Sequence, residues 1–306
     1  MKKMLVVLVM LVMGVTLLAK GAAHEPSKDL FKTGKKAILL VSFGTTYPET
    51  RAKTIMALEK EFKASYPNFK VVTAFTSRII MRRIKENEGI TFNNPSEALD
   101  ILKKEGYTHV LVQGTHIMNG LEAEILKQEV ALHEGNFKVL KVSDPLLTVL
   151  DDYKAVASAL APTYKNLKKD EATVFIGHGT THPANSAYSM SENVFHEFYS
   201  QNVFFGTVEG YPTLDSIIRQ LKTKKIKHVN LYPFMIVAGD HAHNDIAGDM
   251  KEELERNGFT VKVHLVGLGE NKGIRKIFVD HAEFGLTHKK ENMLAKKKDY
   301  ANGMQP

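Results

Sequence analysis

Val174-Phe175-Ile176-Gly177-His178-Gly179-Thr180-Thr181-His182-Pro183 is the stretch on which the fold turns. Its opening residues form an apolar run that reads as a strand buried on both faces, as in parallel sheets. A glycine-flanked histidine follows, and a proline then leads into a helix. Two later segments answer it: Thr207-Val208-Glu209-Gly210-Tyr211-Pro212 and Ala238-Gly239-Asp240-His241-Ala242-His243-Asn244-Asp245. Each follows an apolar run and precedes a helical pattern. Each therefore falls at the carboxyl end of a strand, the edge where open α/β sheets bind ligands.

Outward from there the same alternation fills the chain. Strands are expected at 36–43, 69–75, 109–112, 137–142, 173–177, 203–208, 228–234 and 260–266. Helical spacing covers 49–64, 77–86, 95–106, 121–133, 145–160, 184–199, 213–224, 245–257 and 272–284. Asn94-Pro95-Ser96-Glu97 carries a cap residue, a proline at the first helical position and glutamate at the third, which marks a helix start. The pattern resets near 161–170 without a Gly/Ser-rich or Pro-rich linker, so two lobes packed together are expected rather than two tethered ones. The fold class is α/β: two similar lobes, 36–165 and 166–270, each a parallel sheet flanked by helices, with a cleft between them.

The halves also resemble each other. Ser42-Phe43-Gly44-Thr45-Thr46-Tyr47-Pro48 aligns with Gly177-His178-Gly179-Thr180-Thr181-His182-Pro183, and His109-Val110-Leu111-Val112 with His228-Val229-Asn230-Leu231. Phe43 stands where the second half has His178. One lobe carries the reactive groups and the other supplies a matching wall.

Composition bounds the rest. At 43% hydrophobic and 25% charged over 306 residues, the chain is an ordinary globular one. Lys2 and Lys3, the apolar run Met4 to Ala19 and the small residues Gly21, Ala22 and Ala23 have the layout of a secretory signal over residues 1–23. That run is short of the roughly 20 residues a membrane span needs. Export to the periplasm is expected, with the mature chain starting near His24, a polar connector over 24–35, and membrane contact only through an uncleaved leader. Zero cysteines removes disulfides, thiolate metal sites, Cys nucleophiles and lipoprotein anchoring. Taking the three leader lysines from the net charge of +7 leaves +4. The lysines of the basic tail at 289–306 read as a solvated terminus, not as a nucleic-acid patch, and the mildly basic body favours an anionic ligand.

Three residues carry the expected chemistry. His178 sits between glycines that leave its imidazole unobstructed. Glu209 follows an apolar strand, where a carboxylate must pair, bind metal or take up a proton. In 240–245, His241 and His243 point the same way if the segment is extended; His241, nearer the strand, is favoured, and Asp245 reads first as a helix cap. Two imidazoles and a carboxylate make a site for a divalent metal and for proton transfer. The Gly44-Thr45-Thr46 turn and its counterpart Gly179-Thr180-Thr181 open helices and suit anions. His116, in a loop of the first lobe, is a further candidate for ligand contact; His182 suits a supporting role, and His109 and His228 read as structural. There is no GxxxxGK[ST], no GxGxxG and no GxSxG, so nucleotide, redox and serine-hydrolase chemistry lose support.

SFGTTYPETR, GHGTTHPAN, TVEGYPT and AGDHAHNDIAGD, in that order and spacing, resemble the anaerobic-type sirohydrochlorin cobaltochelatases of the chelatase superfamily that includes ferrochelatase. The resemblance covers roughly residues 36–285. It implies a tetrapyrrole substrate (sirohydrochlorin or precorrin-2), Co²⁺ as substrate metal with Fe²⁺ or Ni²⁺ also accepted by such ligands, and no organic cofactor. It further implies a final helix, 271–288, packed across the first lobe. His178, Glu209 and His241 would occupy the metal and catalytic positions, and the threonine turn with His116 the substrate-binding ones. The alternative reading is an exported protein that binds metal or tetrapyrrole without turnover. A homo-oligomer is compatible with either.

Overall fold

The computed structural model describes residues 24–290 except Lys28, together with Leu294, Lys297, Lys298 and Ala301. The segment read as a leader, 1–23, lies outside the described residues, as does most of the basic tail.

The first lobe runs β2 (Lys36–Ser42), α1 (Pro48–Lys53), α2 (Ile55–Ser65), β3 (Lys70–Phe75), α3 (Arg78–Glu88), α4 (Pro95–Lys104), β4 (His109–Gly114), α5 (Leu121–Ala131), β5 (Val139–Val142) and α6 (Leu150–Ala159), after the short β1 (His24–Pro26). The second repeats the order with β6 (Glu171–Gly177), α7 (Ser186–Phe198), β7 (Val203–Thr207), α8 (Leu214–Thr223), β8 (His228–Pro233), a π-helix (Ala242–Met250) continued by α9 (Lys251–Arg256), and β9 (Thr260–Val263). The sheets are four-stranded and parallel, ordered β3-β2-β4-β5 and β7-β6-β8-β9. The first strand of each half is thus second in its sheet, flanked by the second and third. The duplication read from sequence is a duplication of topology. Except for its first residue, each of these two strands is fully buried, which is why KAILLVS and EATVFIG read as unbroken apolar runs.

All eight expected strands form. The helices differ in detail. The expected 49–64 helix breaks at Thr54 into α1 and α2. The helix expected from Pro145 begins only at Leu150: the N–H groups of Leu146 and Leu147 donate to the carbonyls of His116 and Ile117, and Leu147 bridges in parallel to Met118, which keeps this segment extended beside that loop. The capping box at Asn94 and Glu97 forms in both directions, at 2.9 Å each.

One apolar cluster crosses the lobe boundary, joining Leu111, Leu146 and Val156 of the first half to Phe175, Phe195 and Phe234 of the second. The last helix, α10 (Lys272–Thr287), lies across the first lobe, contacting α6, α2 and β4. Arg275 Nε donates to Glu61 at 2.8 Å and Tyr66 O–H to the Val279 carbonyl at 2.9 Å. Beneath it His281 meets Asp152 at 2.8 Å, their side chains only 2% and 6% exposed. Burial pushes the Asp152 carboxyl up, but the His281 contact and two backbone N–H groups outweigh it and hold the group below its ordinary value. Past α10, β10 (His288–Lys290) pairs antiparallel with β1, so the connector and the start of the tail are tied to each other.

Candidate active site

His178 is the first residue beyond β6. Gly179 after it holds φ +85°, and a Cβ there would overlap the Glu209 carbonyl; a side chain at Gly177 would overlap the Tyr188 ring. Glycine is therefore required on both sides, and the exposed imidazole is carried out of the strand edge. The ladder continues past the strand ends: Val208 N–H donates to the Gly177 carbonyl, and Glu209 N–H to the His178 carbonyl at 2.7 Å.

His241 comes from the turn after β8. Its Nε2 lies 3.2 Å from His178 Nε2, with the rings edge to face at 88°. His178 Nδ1 faces the Gly179 carbonyl at 2.9 Å, and His241 Nδ1 faces Asp245 Oδ2 at 2.7 Å. Both partners are acceptors, so in these contacts both Nδ1 atoms donate, which leaves both Nε2 atoms as lone-pair donors to a ligand. At this distance the two nitrogens can share one proton or hold a cation between them. A divalent ion held there would be taken by both imidazoles through Nε2.

Segment 240–245 departs from its sequence reading. It is helical, with π-type winding from Ala242, so His241 and His243 diverge instead of chelating together: His243 stacks on Tyr47 of the first lobe at 4.7 Å. Asp245 is no N-cap; it lies within the first turn and orients His241. π-type winding is rare and concentrates at functional sites.

Glu209 stands beside His178 through the backbone, but its side chain is exposed to solvent. Among the described residues no three His, Asp or Glu side chains close on a common point that would hold a metal ion. The structure brings the two imidazoles together and leaves Glu209 at their flank.

The expected anion turns have internal duties. Thr45 is buried and its Oγ1 accepts from Tyr47 N–H at 3.3 Å, while Arg51 donates to its carbonyl. In the second turn Thr180 N–H donates to Asn185 Oδ1 at 3.1 Å and Gly179 N–H to Tyr188 Oη at 3.3 Å. These groups shape the edge instead of lying free for a ligand. His116 does not face the other lobe: its ring folds back over Gly114 beside Leu126, and its Nε2 is buried without a partner. Burial, with Lys127 adding to it, lowers its pKa to about 4.

Several contacts around the pair were not foreseen in the sequence, although His182 reads there as supporting. His182 Nδ1 accepts from Ala184 N–H, so its Nε2–H donates to Glu124 of α5, across the lobe junction, at 3.2 Å. Asp240 lies 3.9 Å from Arg83 of α3. It also takes the Tyr47 hydroxyl, which burial first and then this carboxylate push above its ordinary pKa. The spacing of these residues along the chain gives no signal, since each pair joins opposite halves.

A family model, cobalt chelatase (CbiK), matches residues 36–285. The chain belongs to that family. This cobalt chelatase family member is 39% identical over 257 residues to the sirohydrochlorin cobaltochelatase of Salmonella typhimurium, covering 82% of this chain and 97% of the relative. It is 35% identical over 264 residues to the sirohydrochlorin cobaltochelatase CbiKC of Nitratidesulfovibrio vulgaris, covering 84% and 92%. Among solved structures, SirB from Bacillus subtilis with Fe³⁺ superposes with a TM-score of 0.57 at 15% identity, covering 82% of this chain and 96% of that one. CbiX, described as the terminal enzyme for siroheme biosynthesis in denitrifying bacteria, gives 0.54 at 16%, covering 82% and 100%. At those identities the structures speak for the chelatase fold alone.

Proposed function

We propose that the chain is a sirohydrochlorin cobaltochelatase, a lyase-class enzyme that inserts Co²⁺ into the ring with release of two protons. The observation that carries this is the opposed imidazole pair, presented at a solvent-open strand edge in a cobalt chelatase family member. Co²⁺ is the substrate metal, and imidazole nitrogens suit it as a borderline ion; Fe²⁺ and Ni²⁺ compete for the same donors. His178 and His241 take the ion through Nε2 and strip part of its water. Glu209, exposed beside His178, accepts the protons the pyrrole nitrogens release. Phe43, the counterpart of His178 on the first lobe, is 51% exposed and offers the flat ring an apolar face.

The charged, apolar and small-residue layout of residues 1–23 supports the reading that the chain is exported and meets metal and ring in the periplasm. The test is Glu209→Gln, which is expected to abolish insertion under anaerobic conditions while sparing ring binding. Insertion at the unaltered rate would remove Glu209 from the chemistry. Binding of ring and metal by the unsubstituted chain without insertion would make the protein a carrier.

A further inference from the structure

Charge is divided unevenly along the edge where the lobes meet. Helices α1, α5, α6 and α8 and the π-helix each carry a carboxylate in the first turn, as the helix dipole favours, while α2, α7 and α10 carry none. Helix α3 opens at the same edge, its approach held by Thr76 N–H donating to the Ser42 carbonyl and Ser77 N–H to that of Phe43. It has no acid in its first turn and begins instead with Arg78, followed by Arg82 and Arg83. A cation at a helix start works against the dipole, and such breaches of local preference are expected where function imposes them.

Arg83 is the member of this set that reaches the site. Its guanidinium is 3.9 Å from the carboxylate of Asp240, the residue before His241. At that distance the contact is an ion pair without a hydrogen bond. Both side chains remain over half exposed, at 54% and 58%, so the pair is loose and its arginine fork is still open to a better carboxylate. Arg82, the adjacent residue on the helix, lines a separate cleft with Arg78, Lys85 and Phe92.

We infer that Arg83 anchors a carboxylate arm of the tetrapyrrole, and that Asp240 is the place-holder that arm displaces. The inference rests on the proposed function, because it takes its ligand from that reading. It divides the edge into two halves of opposite preference: the His and carboxylate side draws the metal dication, while α3 draws the polycarboxylate ring. An arginine fork fits a carboxylate in two parallel hydrogen bonds, which fixes the orientation of the ring as well as its affinity.

The experiment is an absorbance titration of the full chain with sirohydrochlorin in the absence of metal, so that binding is read apart from insertion. Arg83→Ala is expected to weaken ring binding about tenfold or more, the scale of a lost charge-assisted hydrogen bond. Arg83→Lys should restore part of it. Asp240→Asn should act in the opposite direction and tighten binding, and that gain should vanish when Arg83 is already alanine, since the two act on each other. These positions are exposed, and circular dichroism verifies that the variants fold. Unchanged ring affinity in Arg83→Ala overturns the inference, as does an Asp240→Asn gain that survives the loss of Arg83. A chain that binds the ring with this pattern but never inserts cobalt would sink the enzymatic reading and leave the anchor standing. A chain that binds no sirohydrochlorin would remove both.

Discussion

His178 and His241, 63 positions apart in the chain, oppose their Nε2 atoms at 3.2 Å, and each has its Nδ1 engaged by an acceptor. The Gly179 carbonyl and the Asp245 carboxylate therefore determine which nitrogen of each ring is free, and contacts within the protein hold both rings in place. Preorganisation of this kind removes the ordering cost from the binding step.

Asp245 acts on the metal through His241. Asp245→Asn weakens the acceptor, and Asp245→Ala removes it and frees the ring to turn. The KM for Co²⁺ is expected to rise about 10- to 100-fold, the range for loss of a partner behind a ligating histidine. The KM for the ring should stay within about twofold. Steady-state assays with each substrate varied in turn check the split; equal changes in both would mean a general disturbance of the edge.

Gly179 joins two of the loops that build the site. Its φ of +85° and the Glu209 carbonyl packed against its Cα leave no room for a methyl group. Gly179→Ala should cost at least about 1 kcal/mol from the left-handed conformation alone and shift the 209–210 turn. Thermal unfolding and insertion rate should fall together, whereas Gly135→Ala, at φ +88° with open space around it, should lower stability without touching activity.

His116 gives the fold a one-sided pH dependence. Its folded pKa of about 4 lies below its ordinary 6.5, so the unfolded chain takes up the proton first. The stability tied to the neutral ring is complete above about pH 6.5 and is lost as pH falls towards 4, by ~3 kcal/mol at most. His116→Asn should flatten that part of the stability curve, measured by urea unfolding across the window. A slope unchanged by the substitution would show that another group titrates.

The central strands were legible because a strand covered on both faces is apolar along its length, as in Ala37 to Val41 and Val174 to Ile176. Helix starts were legible where caps announce them, as at Asn94. Errors arose where backbone groups found partners far away in sequence. Pro145 to Val149 has helical composition, yet two of its N–H groups belong to the 116–117 loop. The imidazole pair was legible as a pair of strand-end histidines, but its orienting group was not. Asp245 is four residues beyond His241, a helical spacing, and starting the helix at Asp245, as its cap, hid the contact. His116 was misplaced for a related reason: a loop at the ligand edge predicts exposure, while the bare Cα of Gly114 lets the ring fold inward. Pairings such as Tyr47 with His243 and Glu124 with His182 exist only once the lobes are packed.

The most direct test of the central claim, that the opposed imidazoles deliver the metal, is anaerobic incubation of the purified chain with sirohydrochlorin and Co²⁺, following the ring absorbance, alongside His178→Ala and His241→Ala. The account predicts steady conversion to the cobalt-bound ring by the unsubstituted chain. Each single variant should lose about 100-fold or more in rate while ring binding is retained, with the double variant little worse than either single one, as for groups that act as a unit. Insertion at the original rate with either histidine removed would contradict it.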